Sequence, residues 1–438
     1  MITLPMVLLG IYLVVFAIIG IIDYFRIKGF DDFVVAGRKQ SESFVSMSIL
    51  CTIVGASATM GIASLAVQHG FVAYLWLGTG GVGLILQSIF LSKRIRALNA
   101  YTLPDLAGMV AGKEAKTIIA FVIAISWIGI IAAQFVALST IVALLVGTQI
   151  TTTLIVICSM AVIFYTIFGG QITIIRTDVI QLTFIVISIG IAIFAAFRGG
   201  DITLTNVFEY RGTSSISFVK VLHLIFIVGS TYFIGPDIFS RVFTAKSEIV
   251  AKKATFKAGL GLLVIGFAIT LVGVLAALSN PSGGVNPFVF IIQNLTSPIL
   301  GAIIALGLLS AIVSSADTCM LTVASIVEKD ILGKARLHVA RLMVLVIGVA
   351  SLMLALFRTD ILSLLTGTFS VFSPGVIFPV FVAIMTYGKF SINKKIWLSA
   401  VITGGALGIL SNITGEEYIS LVGMAFSIVL SLLSINKK

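Results

Sequence analysis

The chain has 438 residues, 59% of them apolar and 10% charged, with a mean hydropathy of +1.19 and a formal net charge of +11. A soluble domain runs at about 45–50% apolar and about 25% charged, so too little polar surface is available to cover a water-soluble globule of this size. That excludes a cytosolic enzyme, a nucleic-acid-binding domain and a secreted disulfide scaffold; Cys51, Cys158 and Cys319 lie in apolar runs and make no metal-ligand spacing.

Apolar stretches of about 17–25 residues mark membrane-spanning helices, because backbone groups in lipid must hydrogen-bond within their own segment. Thirteen are expected: 3–22, 44–68, 71–92, 117–147, 151–168, 174–196, 217–239, 255–279, 297–327, 340–357, 360–387, 396–412 and 416–435. Several exceed the bilayer thickness and must tilt or break. No basic residue precedes the first stretch and no small-residue cleavage site follows it, so it reads as a span rather than a cleaved leader. With the N-terminus outside, only Arg198, Arg211, Lys220 and Arg358 of the 28 Lys and Arg residues fall outside. The other 24, among them Arg38, Arg96, Arg176, Arg241, Lys329, Lys437 and Lys438, fall inside. That bias predicts an outside N-terminus and an inside C-terminus. The loops are short and no G-x-x-x-x-G-K-[ST] occurs, so direct ATP drive by this chain is not expected.

An ionisable residue within a span is a functional candidate. Asp317 is the acid nearest mid-span, while Asp178 and Asp237 read as sitting at the inner ends of their helices. Around Asp317 the run Ser310–Thr318 is unusually polar; Ala311, Ser314 and Ser315 share one helical face, and Ser314, Asp317 and Thr318 repeat that spacing. Such a face either ligates a small hard cation such as Na⁺ through oxygen or lets helices pack closely and hydrogen-bond across the contact. In the second span, Cys51-Thr52-Ile53-Val54-Gly55-Ala56-Ser57-Ala58-Thr59-Met60-Gly61 places small residues where a helix break would free carbonyls. Gly229-Ser230-Thr231 and Gly235-Pro236 interrupt the seventh span, five spans later. Matched interruptions at that interval fit two five-helix repeats of the kind found in inverted-repeat secondary transporters, or ordinary small-residue packing.

Five motifs in order then resemble the solute:sodium symporter family, between Gly37 and about residue 387. Ala36-Gly37-Arg38 resembles its entry to the second span, and Tyr101-Thr102-Leu103-Pro104-Asp105 its Y-T-L-P-[DE] loop. Gly169-Gly170 with Thr177-Asp178-Val179-Ile180-Gln181 is similar to its G-G…T-D-x-x-Q segment, and Pro236 with Arg241 to the end of its interrupted helix. Ser314-Ser315-Ala316-Asp317-Thr318 followed by Asp330-Ile331 resembles its S-[ST]-x-D-S…D-[IL] signature.

The resemblance implies an all-α integral membrane fold with a leucine-transporter-type bundle of five-plus-five inverted repeats, and Na⁺-driven import of a small polar organic solute by alternating access. The expected divisions are 1–43, an extra helix and cytoplasmic loop; 44–196, the first repeat; 197–216, an extracellular connection; 217–387, the second repeat; and 388–438, two further helices. It implies a main sodium site at Cys51, Val54, Ala311, Ser314 and Ser315, the first two through backbone carbonyls. A second cation is expected near Asp178, Asp317 and Thr318, although a carboxylate at 317 departs from the family's hydroxyl there. Solute candidates are Ser57, Thr59, Trp76, Gln134 and Tyr232, of which Trp76 and Tyr232 read more readily as core or interface packing. No acid stands beside the first break, where the family's proline carriers have one; Ile53 occupies that place. The pocket therefore reads as weakly polar and uncharged. The expected partners are Na⁺, a small solute and the lipid of the cell membrane, with no organic cofactor, no nucleic acid and a functional monomer. A proton-coupled or uncoupled carrier of the same fold and a transporter-like sensor are the alternatives.

Overall fold

The computed structural model of the protein describes residues 4–199, 202–279 and 284–436. Residue 3 of the first expected span, residues 200 and 201 of the extracellular connection, and Lys437 and Lys438 of the inside set lie outside the described residues. Nearly everything described is helix, and ten helices are long and apolar enough to cross a membrane.

Helix α1 (Leu4–Tyr24) exposes most of its apolar surface and carries two polar anchors. The Tyr12 hydroxyl accepts from Gln181 Nε2 at 3.3 Å and from Ser310 Oγ at 3.2 Å. Asp23, fully buried, pairs with Arg176 and with Arg26 and accepts from Thr173. Helices α2 (Glu42–Ile53), α3 (Ile62–His69) and α4 (Leu75–Phe90) follow, with non-helical backbone between the first two. In the loop helix α5 (Leu103–Ala111) the Y-T-L-P-D motif has a direct physical reading. Thr102 is the N-cap and its hydroxyl accepts from Asp105 N at 3.3 Å, Pro104 stands in the first turn, and Asp105 Oδ2 accepts from Tyr101 N at 3.1 Å.

Helix α6 (Lys113–Val146) runs 34 residues. Helix α7 (Thr152–Arg198) is nominally 47 residues, but Gly170 adopts φ 55° and ψ −169°, so the axis breaks there. Each half is long enough, at 1.5 Å per residue, to cross roughly the hydrocarbon thickness. A side chain at 170 would bring a Cβ within 2.5 Å of the Phe33 ring, and its backbone is one that L-residues avoid.

The stretch expected as the seventh span is α8 (Phe218–His223), a wide turn over Leu224–Val228, a tight one over Gly229–Tyr232, and α9 (Pro236–Thr244). The backbone leaves helical geometry at Gly235, and Pro236, which lacks an N–H, opens the next helix. Helix α10 (Glu248–Ser279) packs along α4, and α11 (Pro298–Ile326) packs between α6 and α7. Helix α11 buries nearly all its residues, its polar face included, as a central helix must. Helices α12 (Leu337–Phe357), α13 (Ile361–Phe372), α14 (Phe378–Thr386), α15 (Lys394–Thr414) and α16 (Glu417–Leu433) complete the bundle.

At the end of the bundle that carries α5, a charge cluster joins three elements. Lys116 Nζ lies 2.7 Å from Asp105 and 3.0 Å from Asp330, and Lys329 also pairs with Asp105. Burial works against the Asp105 carboxylate, but Lys329 and Lys116 outweigh it and hold the group below the usual carboxylate range. Arg38 and Lys329 both stand over the Tyr101 ring, at 4.8 and 4.7 Å from its centre.

Gly170→Ala should therefore lower the stability of the purified protein by about 1–3 kcal/mol, through the strained backbone and the clash with Phe33. Thermal unfolding in detergent measures this. Gly190→Ala, where nothing lies within 4 Å of the added methyl, is the control and should unfold as the parent does.

Candidate functional site

Helix α2 ends at Ile53, and Val54, at φ −81° and ψ 58°, turns the backbone out of the helix. The break is held by specific bonds. Gly55 N donates to Ile53 O at 2.9 Å, and Ala56 N donates to Gln134 Oε1 at 2.9 Å. Thr59 donates twice to Gly55 O, from its N at 2.9 Å and from its hydroxyl at 2.8 Å. A wide turn over Ser57–Gly61 then leads into α3.

Helix α11 lies directly against this break. A Cβ at Gly55 would fall 2.2 Å from Ser315 Oγ and 2.8 Å from Ser315 Cβ, so only glycine permits the approach. Ser314 Oγ stands 2.9 Å from Cys51 O and 3.1 Å from Ala311 O, and Ser315 Oγ donates to Thr52 O at 2.6 Å. Cys51, Ala311 and Ser314 thus present oxygens to one another, with Ser315 beside them against Gly55; no bond among the described residues joins the Val54 carbonyl to them. A hydroxyl carries one proton, so Ser314 cannot satisfy two carbonyls at once. Ala311 O is also served by the ladder of α11, so the cluster is three buried oxygens gathered around one hydroxyl proton.

One turn further along α11 is a second buried cluster. Arg241, with no exposed surface, donates from Nε to Ser48 Oγ at 2.8 Å, from Nη1 to Ser240 Oγ at 3.2 Å, and from Nη2 to Thr318 Oγ1. Its Nη2 lies 3.5 Å from Asp178 Oδ2, which also accepts from Ser48. Asp317 Oδ1 accepts from Thr318 Oγ1 at 3.3 Å. Asp178 Oδ1 and Asp317 Oδ2 are buried without a partner among the described residues. Asp178, Asp317 and Thr318 therefore stand in one cluster, and Arg241, counted among the inside cations from the sequence, is a core residue instead. Arg241 pairs with Asp178, and among the described residues no ion pair reaches Asp317.

Between the break and the interrupted helix lies a cavity of about 40 Å³, room for roughly three waters. Ser57, Trp127, Gln134, Tyr232, Asp237 and Ser315 line it. The other two solute candidates do not reach it. Thr59 is spent on Gly55 O, and Trp76 stands behind, donating from Nε1 to the Tyr232 hydroxyl at 3.0 Å. Gln134 faces the cavity but spends Oε1 on Ala56 N. The expectation of an uncharged pocket is corrected by Asp237. The loss of helical geometry at Gly235 turns the first residues of α9 towards the cavity rather than the helix end. Gly235-Pro236 immediately before it was the available signal.

A family profile described as "Sodium:solute symporter family" matches residues 33–404. The chain belongs to the sodium:solute symporter family. Its similar relatives include the sodium/proline symporter of Escherichia coli strain K12, 24% identical over 95% of this chain and 91% of that one. Sodium/proline symporter 2 of Staphylococcus saprophyticus is 26% identical over 50% of this chain and 49% of its own length. Among solved structures, a substrate-bound, outward-open Na⁺-coupled sialic acid symporter superposes with a TM-score of 0.82 over 100% of this chain and 99% of that one, at 18% identity. Mhp1, a nucleobase-cation-symport-1 family transporter, reaches 0.67 at 15% identity over 92% and 93%. These likenesses establish the fold, which is that of the leucine-transporter-type symporters. This family member is a transporter rather than an enzyme, and a multi-pass protein of the cell membrane.

Removing one side of a buried ion pair leaves the other uncompensated and costs about 3–5 kcal/mol. Arg241→Met alone should thus lower the unfolding temperature sharply. The double variant Arg241→Met/Asp178→Leu should recover part of that loss. A loss in the double variant equal to the sum of the losses in Arg241→Met and Asp178→Leu alone, measured by thermal unfolding, would show that the pair carries no coupling.

Proposed function

We propose that this protein is a sodium-coupled secondary active symporter that imports a small polar organic solute by alternating access. The observation that carries the reading is the gathering of buried oxygens where α11 meets the broken end of α2: Ser314 Oγ stands against both the Cys51 and Ala311 carbonyls. Na⁺ prefers hard oxygen ligands, and a cation is what such a cluster lacks. Its ligands are the carbonyls of Cys51, Val54 and Ala311 and the hydroxyls of Ser314 and Ser315. The solute occupies the adjoining cavity against Ser57, Gln134 and Tyr232, with Thr59 and Trp76 holding its walls. Ser315 borders both places, so ion and solute brace the same broken helix. Family membership and relatives named as sodium symporters support the coupling ion.

A second cation sits at Asp178, Asp317 and Thr318. Two orphaned carboxylate oxygens, Asp178 Oδ1 and Asp317 Oδ2, support it. The same orphaned Oδ2 of Asp317 favours one other reading, in which that cation is a proton. The working topology is thirteen spans with the N-terminus outside and the C-terminus inside, and two five-helix repeats over 44–196 and 217–387; the break of α7 at Gly170 supports counting two spans there. The protein works as a monomer.

Loss of one ligand in a dry site costs about 1–3 kcal/mol, or five- to a hundredfold in affinity. Ser314→Ala and Ser315→Ala should each raise the Na⁺ concentration for half-maximal uptake by that factor in proteoliposomes. Unchanged Na⁺ dependence in both, with normal reconstitution, would refute the main site. Coupling must also be reciprocal, so Na⁺ should tighten solute binding by the factor that solute tightens Na⁺.

Asp317→Asn separates the two readings of the second site. With a second Na⁺, the Hill coefficient for Na⁺ should fall towards one. With a proton, uptake should lose its pH dependence and keep its Na⁺ curve. A variant indistinguishable from the parent in both assays would make Asp317 a structural acid.

A further inference from the structure

Asp237 is the one charged side chain among those lining the central cavity, and it is half-buried there. The nearest cation in sequence, Arg241, stands one turn on along the same helix. Its donors are already committed to Ser48, Ser240, Thr318 and Asp178, and no ion pair to Asp237 exists among the described residues. A carboxylate facing a small enclosed space inside a membrane protein is expensive without a counter-charge. Beyond the N–H groups of the first turn of α9, including that of Ile238, the occupant of the cavity is the remaining source of one.

A second group in the same wall also lacks a partner. Trp127 is 1% exposed, and its Nε1 makes no hydrogen bond among the described residues. An indole N–H is a donor only, so it calls for an acceptor atom on the occupant. The rings of Trp127, Tyr232 and Phe369 stand in the lining beside aliphatic side chains, and aromatic faces favour cations in desolvated surroundings. The space is small, so the occupant is compact.

We infer that the transported solute is a compact organic cation, whose ammonium group pairs with Asp237 and whose oxygen accepts from Trp127 Nε1. The inference rests on the symport reading above and narrows its solute class. It depends on the interrupted helix, because α9 begins with Pro236 and presents Asp237 in its first turn.

A matched pair of probes tests it: ethanolamine, which carries an ammonium and a hydroxyl, and ethylene glycol, its neutral counterpart of the same size. The readout is the midpoint of thermal unfolding of the purified full chain, with and without Na⁺, at fixed pH and with KCl balancing ionic strength. Ethanolamine should raise the midpoint in the presence of Na⁺, and ethylene glycol should not. Removing one partner of a close, desolvated charge pair weakens binding by about thirtyfold or more, so Asp237→Asn should shift the ethanolamine titration by at least that factor. Asp237→Glu, which keeps the charge, should retain most of the response and shows that a folded variant is being read. Equal responses to the two probes in the parent protein would overturn the inference, as would an ethanolamine response that survives in Asp237→Asn. If Na⁺ raises the midpoint and ethanolamine adds nothing, the solute class is wrong and the symport reading stands. If Na⁺ itself has no effect on the parent, the symport reading is what fails.

Discussion

The close approach of Gly55 to Ser315 is the contact on which the centre of this protein depends. A methyl group at 55 would collide with the serine side chain, so α11 would be pushed away from the broken helix. With it would go the bonds from Ser314 to Cys51 O and from Ser315 to Thr52 O, and the oxygen cluster would open. The break itself is stabilised from two sides: Gln134 of α6 takes the N–H of Ala56, and Thr59 takes the carbonyl of Gly55. In hydrocarbon an unpaired backbone group is costly, so an unwound segment survives only where neighbouring side chains or a bound ion take over its polar atoms. Here the protein caps most of them and leaves the oxygen-rich side short of positive charge.

Thr52 links that place to the second cluster. Its carbonyl accepts from Ser315, and its hydroxyl stands 3.3 Å from that of Thr318, which also meets Arg241 and Asp317. Any movement of the broken helix along α11 is therefore felt in both clusters through one residue. Such a shared element is what coupling between two sites requires physically: a contact whose geometry both occupants bias.

Much of this arrangement is legible in the residues. Spacing puts Ala311, Ser314 and Ser315 on one face; the small-residue run around Gly55 and the Gly235-Pro236 pair mark where helices cannot continue; Thr102-Leu103-Pro104-Asp105 reads as a helix start. What escapes a linear reading is where a side chain spends its hydrogen bonds. The hydroxyl of Thr59 looks the same in sequence whether it faces a cavity or its own backbone, and it faces Gly55 O. Trp76 appears as a wall of the pocket and is one layer behind it, against Tyr232. Arg241 near a helix end resembles any cytoplasmic cation, because its partners Ser48, Asp178 and Thr318 come from three distant segments. Asp237 reads as the end of a long span only when residues are counted through a stretch that is not continuous helix; it stands in the first turn of α9.

The anchoring of α1 has a consequence for how the molecule assembles during synthesis. Tyr12 hydrogen-bonds Ser310, 298 positions later in the chain. At a synthesis rate of about 5–20 residues per second, roughly 15–60 s separate the appearance of the two. Through that interval the phenol on the first helix must find water, lipid headgroups or Gln181, itself 169 positions away, as a provisional partner. The first helix to form is thus among the last to be locked, and its final seat is available only once α11 has entered the bundle.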